Sequence, residues 1–392
     1  MNITLDLVQT IGLAAIVLLV GQKTKERVSF LQKYFIPTPV IGGLIYAILM
    51  LLGHQTNTFS IQLDHGLTKF LMVLFFTCTG FLASVKVIKS SGKQGAILAV
   101  LSILLLVLQD AVGAGLAHAL GLHPLMGVAI GSVSMSGGLG SAAAFGPSFE
   151  ELGVDSATII GIAAATFGLI MGSLIGGPLA KKLIERHGLI GGVSETATTG
   201  IQIDSKKTNV TPMTSVIVVL ATMAFGAYLV AGLNKTGITF PYYVGGVFAA
   251  AIVRNIADAR SYEIAMPHIN LIGNSALNLF LALSLMGLKI WALFDLAIPM
   301  MIILLGQLVL MASFAYFVIF KLMGKNYEAA VMSAGHCGVG LGQTPNAIAN
   351  MSVVIEKYGP APNAWVMLPV ITVIVINLVN PLIITFCMNI LS

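Results

Sequence analysis

Between Ser333 and Met351 the sequence reads S-A-G-H-C-G-V-G-L-G-Q-T-P-N-A-I-A-N-M, placing Gly335, Gly338, Gly340, Gly342 and Pro345 among His336, Gln343, Thr344, Asn346 and Asn350. Glycines let a backbone approach a ligand closely. Helix starts offer free N–H groups to anions, while unwound carbonyls and amide oxygens suit a hard cation. A second run, G-S-V-S-M-S-G-G-L-G-S at 131–141, supplies the same ingredients. The candidate solute contacts are therefore Ser134, Ser136, Gly137, Gly138, Gly140 and Ser141 in one stretch, and His336, Gly338, Gly340, Gly342, Gln343 and Thr344 in the other. Asp110 joins them as a carboxylate near the middle of an apolar run, able to meet Na⁺, a proton or an ammonium group. Cation candidates are Asn346, Asn350, Asn377, Asn380 and Thr166; Pro381 also frees the carbonyl of Asn377, and Pro178 that of Leu174. Each has a structural alternative: glycine-mediated packing, inter-helix amide bonds, an Asp110 supported by Gln109, or a His336 bonded to a backbone carbonyl.

The elements that must position these groups follow from composition. Of 392 residues, 57% are hydrophobic and 9% charged, against roughly 25% charged in soluble domains. The 42 glycines suit closely packed membrane helices. The net charge of +5 comes from short basic loops and does not point to nucleic acid. Cys78, Cys337 and Cys387 lie in apolar surroundings without metal-like spacing. No basic residue precedes the first apolar run, unlike an ordinary signal peptide. There is no phosphate loop and no paired nucleophile and base, so an enzyme is not expected. This is an all-α polytopic membrane protein.

Apolar runs predict ten spans, near 4–21, 37–53, 67–85, 95–120, 156–180, 211–233, 238–253, 270–288, 292–320 and 362–390. The Gly-broken stretches 124–146 and 329–352 fit neither loops nor spans. Each is long enough for two half-helices, a re-entrant hairpin. Irregular backbone at membrane depth is tolerated only where protein or a water-filled cavity satisfies it. With both hairpins returning to the side they enter and both termini outside, only Lys69, Lys235 and Lys289 of the 20 Lys and Arg fall outside, which is the positive-inside pattern.

The chain also resembles itself. P-V-I-G-G at 39–43 recurs as P-Y-Y-V-G-G at 241–246, G-L-G at 138–140 as G-L-G at 340–342, and P-L at 178–179 as P-L at 381–382. Five spans and one hairpin per half, an odd count, make the second copy an inverted one. The expected organisation is a first inverted repeat at 1–187, a cytoplasmic linker at 188–210 and a second inverted repeat at 211–392. Opposed hairpins with anion-friendly ends suit a ligand with two carboxylates.

Five stretches carry a family resemblance: V-S-F-L-Q-K-Y-F-I-P-T-P-V-I-G-G (28–43), S-G-G-L-G-S-A-A-A (136–144), A-T-F-G-L-I-M-G-S-L-I-G-G-P (165–178), L-F-L-A-L-S-L-M-G-L-K-I-W (279–291) and M-G-K-N-Y-E-A-A-V-M-S-A-G-H-C-G-V-G-L-G-Q-T-P-N-A-I-A-N-M (323–351). Together they resemble the bacterial glutamate:sodium symporters over essentially the whole chain. The resemblance implies Na⁺-coupled symport of L-glutamate into the cell across the bacterial inner membrane, no cofactor beyond Na⁺ as the coupling ion, and a lipid-embedded homodimer in which a transport domain moves against a scaffold. It would place substrate and sodium at the hairpin positions named above. The first tip departs from the family's S-G-G-H-G-T-G-A-A, with Leu139 at the His and Ser141-Ala142 at the Thr-Gly. A sodium- or proton-coupled carrier of another acidic amino acid or dicarboxylate is the alternative; a channel is a more distant one.

Overall fold

The computed structural model describes residues 2–56, 58–189, 210–235, 237, 239–288 and 296–392. Most of the expected linker, with Lys206 and Lys207, lies outside the described residues, as do Lys289 and Asp295.

Helices α1 (Leu7–Arg27), α2 (Ser29–Lys33), α3 (Thr38–Thr56), α4 (Gly66–Gly80), α5 (Val85–Ser90), α6 (Gly92–Ala119), α7 (Pro124–Ile130), α8 (Gly138–Glu151) and α9 (Ala157–His187) make up the first half. The second half holds α10 (Pro212–Asn234), α11 (Tyr242–Ala259), α12 (Met266–Met286), α13 (Ala297–Ser313), α14 (Phe320–Leu322), α15 (Tyr327–Gly340), α16 (Thr344–Tyr358) and α17 (Pro362–Leu391). A π-helical turn, Phe314–Ile319, joins α13 to α14. Short strands β1 (Asn2–Thr4) and β2 (Ser60–Gln62) pair in parallel.

Among the described residues, nine helical segments are long and apolar enough to cross a membrane. The sequence predicted ten. The remaining segment forms as α11, an 18-residue helix whose last turns carry Arg254 and Asp258, paired at 3.1 Å. Those charges dilute its apolar character.

Both Gly-broken stretches fold as helix–break–helix. The chain leaves α7 at Gly131 and re-enters a helix through Gly138, whose φ of +68° favours glycine. It leaves α15 at Gly340, turns through Leu341 and Gly342, is extended at Gln343 and starts α16 with Pro345 in the first turn, where a missing N–H costs nothing. His123 and Asn326 cap the entry helices by accepting from Leu125 N and Ala329 N.

Helices α1, α3, α4, α10, α11 and α12 pack together; α6–α9, α13 and α15–α17 form the body that holds both broken pairs. The two groups meet where Phe145 of α8 sets its ring edge-on to Tyr243 of α11, with centroids 5.2 Å apart. Within the second group, α9 offers a face of small residues. A Cβ on Gly168 would strike the Leu341 carbonyl, and one on Gly176 the Asn350 amide. The close approach allows the break after α15 to lie directly against α9.

The contacts at the two ends of the bundle are distinct. At one end β1 pairs with β2, and Thr239 N donates to Asn389 Oδ1 at 3.1 Å. At the other, Ser84 Oγ donates to Asp258 at 2.6 Å, Arg186 to the Tyr316 hydroxyl at 2.9 Å, and Glu328 accepts from Asn363 N and Ala364 N.

Gly168→Ala is expected to destabilise the purified protein by about 1–3 kcal/mol through overpacking. Gly12→Ala, whose added Cβ meets nothing within 4 Å, should be neutral or stabilising by about 0.4–1 kcal/mol. Thermal unfolding in detergent checks the contrast; equal behaviour of the two variants would contradict the packing described.

Candidate functional site

The two broken pairs meet at their tips. A Cβ placed on Gly138 would lie 3.4 Å from Gln343 Nε2 and 3.5 Å from the Gly342 carbonyl. Helices α8 and α16 both begin at this junction, and neither Gly137 nor Gln343 caps its helix with a side chain. The first turn of a helix leaves N–H groups without intrahelical partners, and it carries the positive end of the macrodipole. Two such ends therefore face one small region from opposite directions. Gly137, Ser141, Gln343 and Thr344 are half-buried there, which keeps their polar groups within reach of a solute.

Behind the tips the polar groups are buried and already engaged. Gln109, fully buried in α6, accepts from Ser136 Oγ at 2.6 Å and donates to the Gly340 carbonyl at 2.6 Å, so one amide ties the two tips together. Gln307 of α13 donates to the Gln109 carbonyl at 2.7 Å. Asp110, 3% exposed, accepts from Ser132 N at 2.8 Å and Ser132 Oγ at 3.0 Å. Its carboxylate thus takes the hydrogen bonds that an interrupted helix end would otherwise leave open. Ser134 donates to the carbonyls of Ala129 and Gly161. Ser134, Ser136 and Asp110 thus brace the first tip, while Gly137 and Ser141 are half-buried at its edge.

In the second tip, Gly338, Gly340 and Gly342 are buried where a side chain would collide. Added Cβ atoms would meet Ala347 N, Met311 Sδ and the Gly338 carbonyl, respectively. His336 is buried in the body of α15, its ring centroid 6.4 Å from that of Phe314 in the π-helical turn, and its Nδ1 has no partner among the described residues.

The cation candidates separate by geometry. Asn346 Nδ2 donates to the Leu169 carbonyl and to Ser173 Oγ, both at 2.7 Å, leaving a buried Oδ1 without a partner among the described residues. Asn380 Nδ2 donates to the Ser132 carbonyl at 3.1 Å, and its Oδ1 is likewise unpartnered. Asn350 bridges the Gly172 and Ala334 carbonyls at 2.8 and 3.1 Å. Thr166 spends its hydroxyl within its own helix, on the Ile162 carbonyl at 2.9 Å, and Asn377 is half-buried on α17.

In the sequence Gln109 stands out only as a neighbour of Asp110, and Gln307 is not among the expected site residues; its Oε1 is a third buried amide oxygen without a partner among the described residues. The available signal was a glutamine inside the apolar run L-L-G-Q-L-V-L at 304–310.

Gln109→Leu removes the side-chain partner of Ser136 and of the Gly340 carbonyl, at about 1–3 kcal/mol per buried unsatisfied group. It is expected to lower the unfolding temperature and loosen the second tip, measured as faster hydrogen exchange over 338–344. Unchanged exchange there would show that Gln109 does not hold the tips.

The description "Sodium/glutamate symporter" belongs to a family profile that matches residues 3–360. Sodium/glutamate symporters of Escherichia coli (strain K12) and Haemophilus influenzae are 39% and 36% identical to this chain over 389 residues, covering 97% of it and 96% of each relative. A solved sodium proton antiporter from Methanocaldococcus jannaschii aligns over 99% of this chain and 98% of its own, at 15% identity and a TM-score of 0.43. That likeness is too distant to carry an argument; the first two findings are not. The chain belongs to the sodium/glutamate symporter family.

Proposed function

We propose that the protein is a secondary active transporter that carries L-glutamate into the cell together with Na⁺. The observation that carries this reading is the pair of uncapped helix starts, at Gly138 and Thr344, opposed at the junction of two broken helices. A dicarboxylate with one ammonium group can place a carboxylate at each start, and it needs no Lys or Arg there. Ser141, Gln343 and Thr344 supply side-chain contacts. Gly137, Gly138 and Gly140 in the first tip, and Gly338, Gly340 and Gly342 in the second, keep the backbone close enough to serve. Ser134, Ser136, Asp110 and His336 stand one layer behind.

Na⁺ binding is assigned to the amide oxygens left without partners, on Asn346 and Asn380, with Asn350, Asn377 and Thr166 as the supporting polar set. Na⁺ there offsets the charge of the solute. Moving one net positive charge inward gains about 2.3 kcal/mol per 100 mV, which supplies the driving force for accumulation.

The architecture we propose has two inverted repeats, 1–187 and 211–392, each of five helices and one re-entrant hairpin. Supporting it, each half runs through the same order of elements, and the packing exchanges between halves: α3 meets α12 as α11 meets α4, and α6 meets α17 while α9 meets α13. Loops that charge assigns to one side of the membrane also meet: β1 with β2, and Thr239 with Asn389. That agrees with both termini on the periplasmic face of an inner membrane. In this reading the body holding the tips moves against α1, α3, α4 and α10–α12 by alternating access, elevator-like, within a homodimer.

Proteoliposomes with an inward Na⁺ gradient should accumulate labelled L-glutamate, and choline in place of Na⁺ should abolish accumulation. Gly138→Val should remove uptake while leaving the protein monodisperse. Sodium-independent uptake, or uptake competed more strongly by another acidic amino acid or dicarboxylate, would favour the alternative substrate or coupling instead.

A further inference from the structure

A cavity of about 960 Å³ opens at the end of the bundle that carries Thr239 and Asn389. Its walls come from both packing groups: α4, α11 and α12 on one side, α8, the start of α9 and the end of α17 on the other. Lys69, Glu151 and Tyr242 at the rim are exposed. Met72, Ala143 and Phe280 are the lining residues set deepest on α4, α8 and α12. The volume is ample for a small solute and its water. Yet none of Gly137, Gly138, Ser141, Gln343 or Thr344 lines it, so the cavity stops short of the tip junction.

What stops it stands one helical turn further in. Three residues on, about 4.5 Å along each axis, come Phe75 on α4, Gly140 on α8 and Leu277 on α12. These three meet. A Cβ on Gly140 would lie 3.1 Å from the Phe75 ring and 3.5 Å from Leu277 Cδ1. Phe75 is held from behind: its ring is edge-on to that of Phe76, with centroids 4.9 Å apart, and Phe76 packs on Tyr243 of α11 at 4.4 Å. Two residues beyond Gly140, Gly138 lies against Gln343 and the Gly342 carbonyl. Two apolar side chains of the six-helix group thus rest on the first tip, between the cavity and the tip junction. An apolar constriction of this kind bars charged species by excluding their water.

We infer that Phe75 and Leu277 form a gate between this cavity, which is the solute's way in, and the tips that bind it. Phe75 and Leu277 belong to the group of helices that stays still, and Gly140 to the body that moves. Displacement of the body draws Gly140 away from both side chains and opens the path. The inference rests on the reading above that the tips bind the solute and that this end of the bundle is periplasmic, but it fails separately from it.

Ser284 lines the cavity and Ser141 is half-buried at the tip, so cysteines there report on the two sides of the gate. Ser141→Cys and Ser284→Cys would each be placed alone in a chain lacking Cys78, Cys337 and Cys387. A membrane-impermeant anionic methanethiosulfonate is added to the outer face of spheroplasts in choline medium, and modification rates are measured. The thiol at 284 should react readily and the thiol at 141 more slowly. Phe75→Ala and Leu277→Ala should each raise the rate at 141 about tenfold, because a large-to-small change removes much of the packing that keeps the closure shut. Neither should alter the rate at 284. Leu277→Met, which conserves volume, should keep modification at 141 slow. Protection of 141 by Na⁺ and L-glutamate together checks that each variant keeps a folded site. An unreactive thiol at 284, equal rates at both positions with the gate intact, a rate at 141 unmoved by both alanine variants, or one raised equally by Leu277→Met would overturn the inference. Absence of protection at 141 with the gate intact would instead overturn the reading beneath it.

Discussion

A helix interrupted inside an apolar bundle leaves backbone N–H and C=O groups that must find partners within the protein, and much of this structure answers that demand. Gln109 is the centre of the answer. One buried amide accepts from Ser136 in the first tip and donates to Gly340 in the second, so neither break is positioned independently of the other. Asp110, the next residue on α6, takes the N–H and hydroxyl of Ser132. Two adjacent polar residues in the middle of one long helix thus hold both interruptions against it.

The remaining partners come from helices that approach unusually closely. On α9 the small residues Gly168, Gly172 and Gly176 admit the break after α15 and the side chains of Asn346 and Asn350. Their amides in turn cover carbonyls at Leu169, Gly172 and Ala334. Anchoring α16 to α9 through Asn346, and α17 to the break after α7 through Asn380, consumes amide hydrogens and leaves both amide oxygens without partners among the described residues. The same economy leaves helix starts at Gly138 and Thr344 without caps. These unpartnered oxygens and uncapped starts are the groups we propose for a hard cation and an anionic solute.

Much of this was legible in the sequence. The stretches 124–146 and 329–352 announced their breaks through glycine and proline set within apolar runs, and both form helix–break–helix units near the expected positions. Legibility failed where the outcome depends on tertiary contact. Ser136 and Ser141 look alike in sequence, yet Ser136 is buried on Gln109 while Ser141 is half-buried at the surface of the tip. Asp110 carries the signature of a ligand-binding acid, but its oxygens are engaged by Ser132. Gln307 is marked only as a lone glutamine in an apolar run, and its partner, the Gln109 carbonyl, is brought to it by the fold. The span expected at 238–253 formed as a helix, but it runs on to Arg254 and Asp258, whose pairing only the fold reveals.

The central claim is that the opposed tips bind solute, and bind it together with sodium. Thiol accessibility at Ser141 tests this most directly. A Ser141→Cys variant in a background lacking Cys78, Cys337 and Cys387 would be alkylated with and without ligands. Na⁺ and L-glutamate together should slow alkylation about tenfold at ten times the dissociation constant, with glutamate in choline giving no protection. A modification rate indifferent to Na⁺ and glutamate, in protein that still transports, would place the site elsewhere.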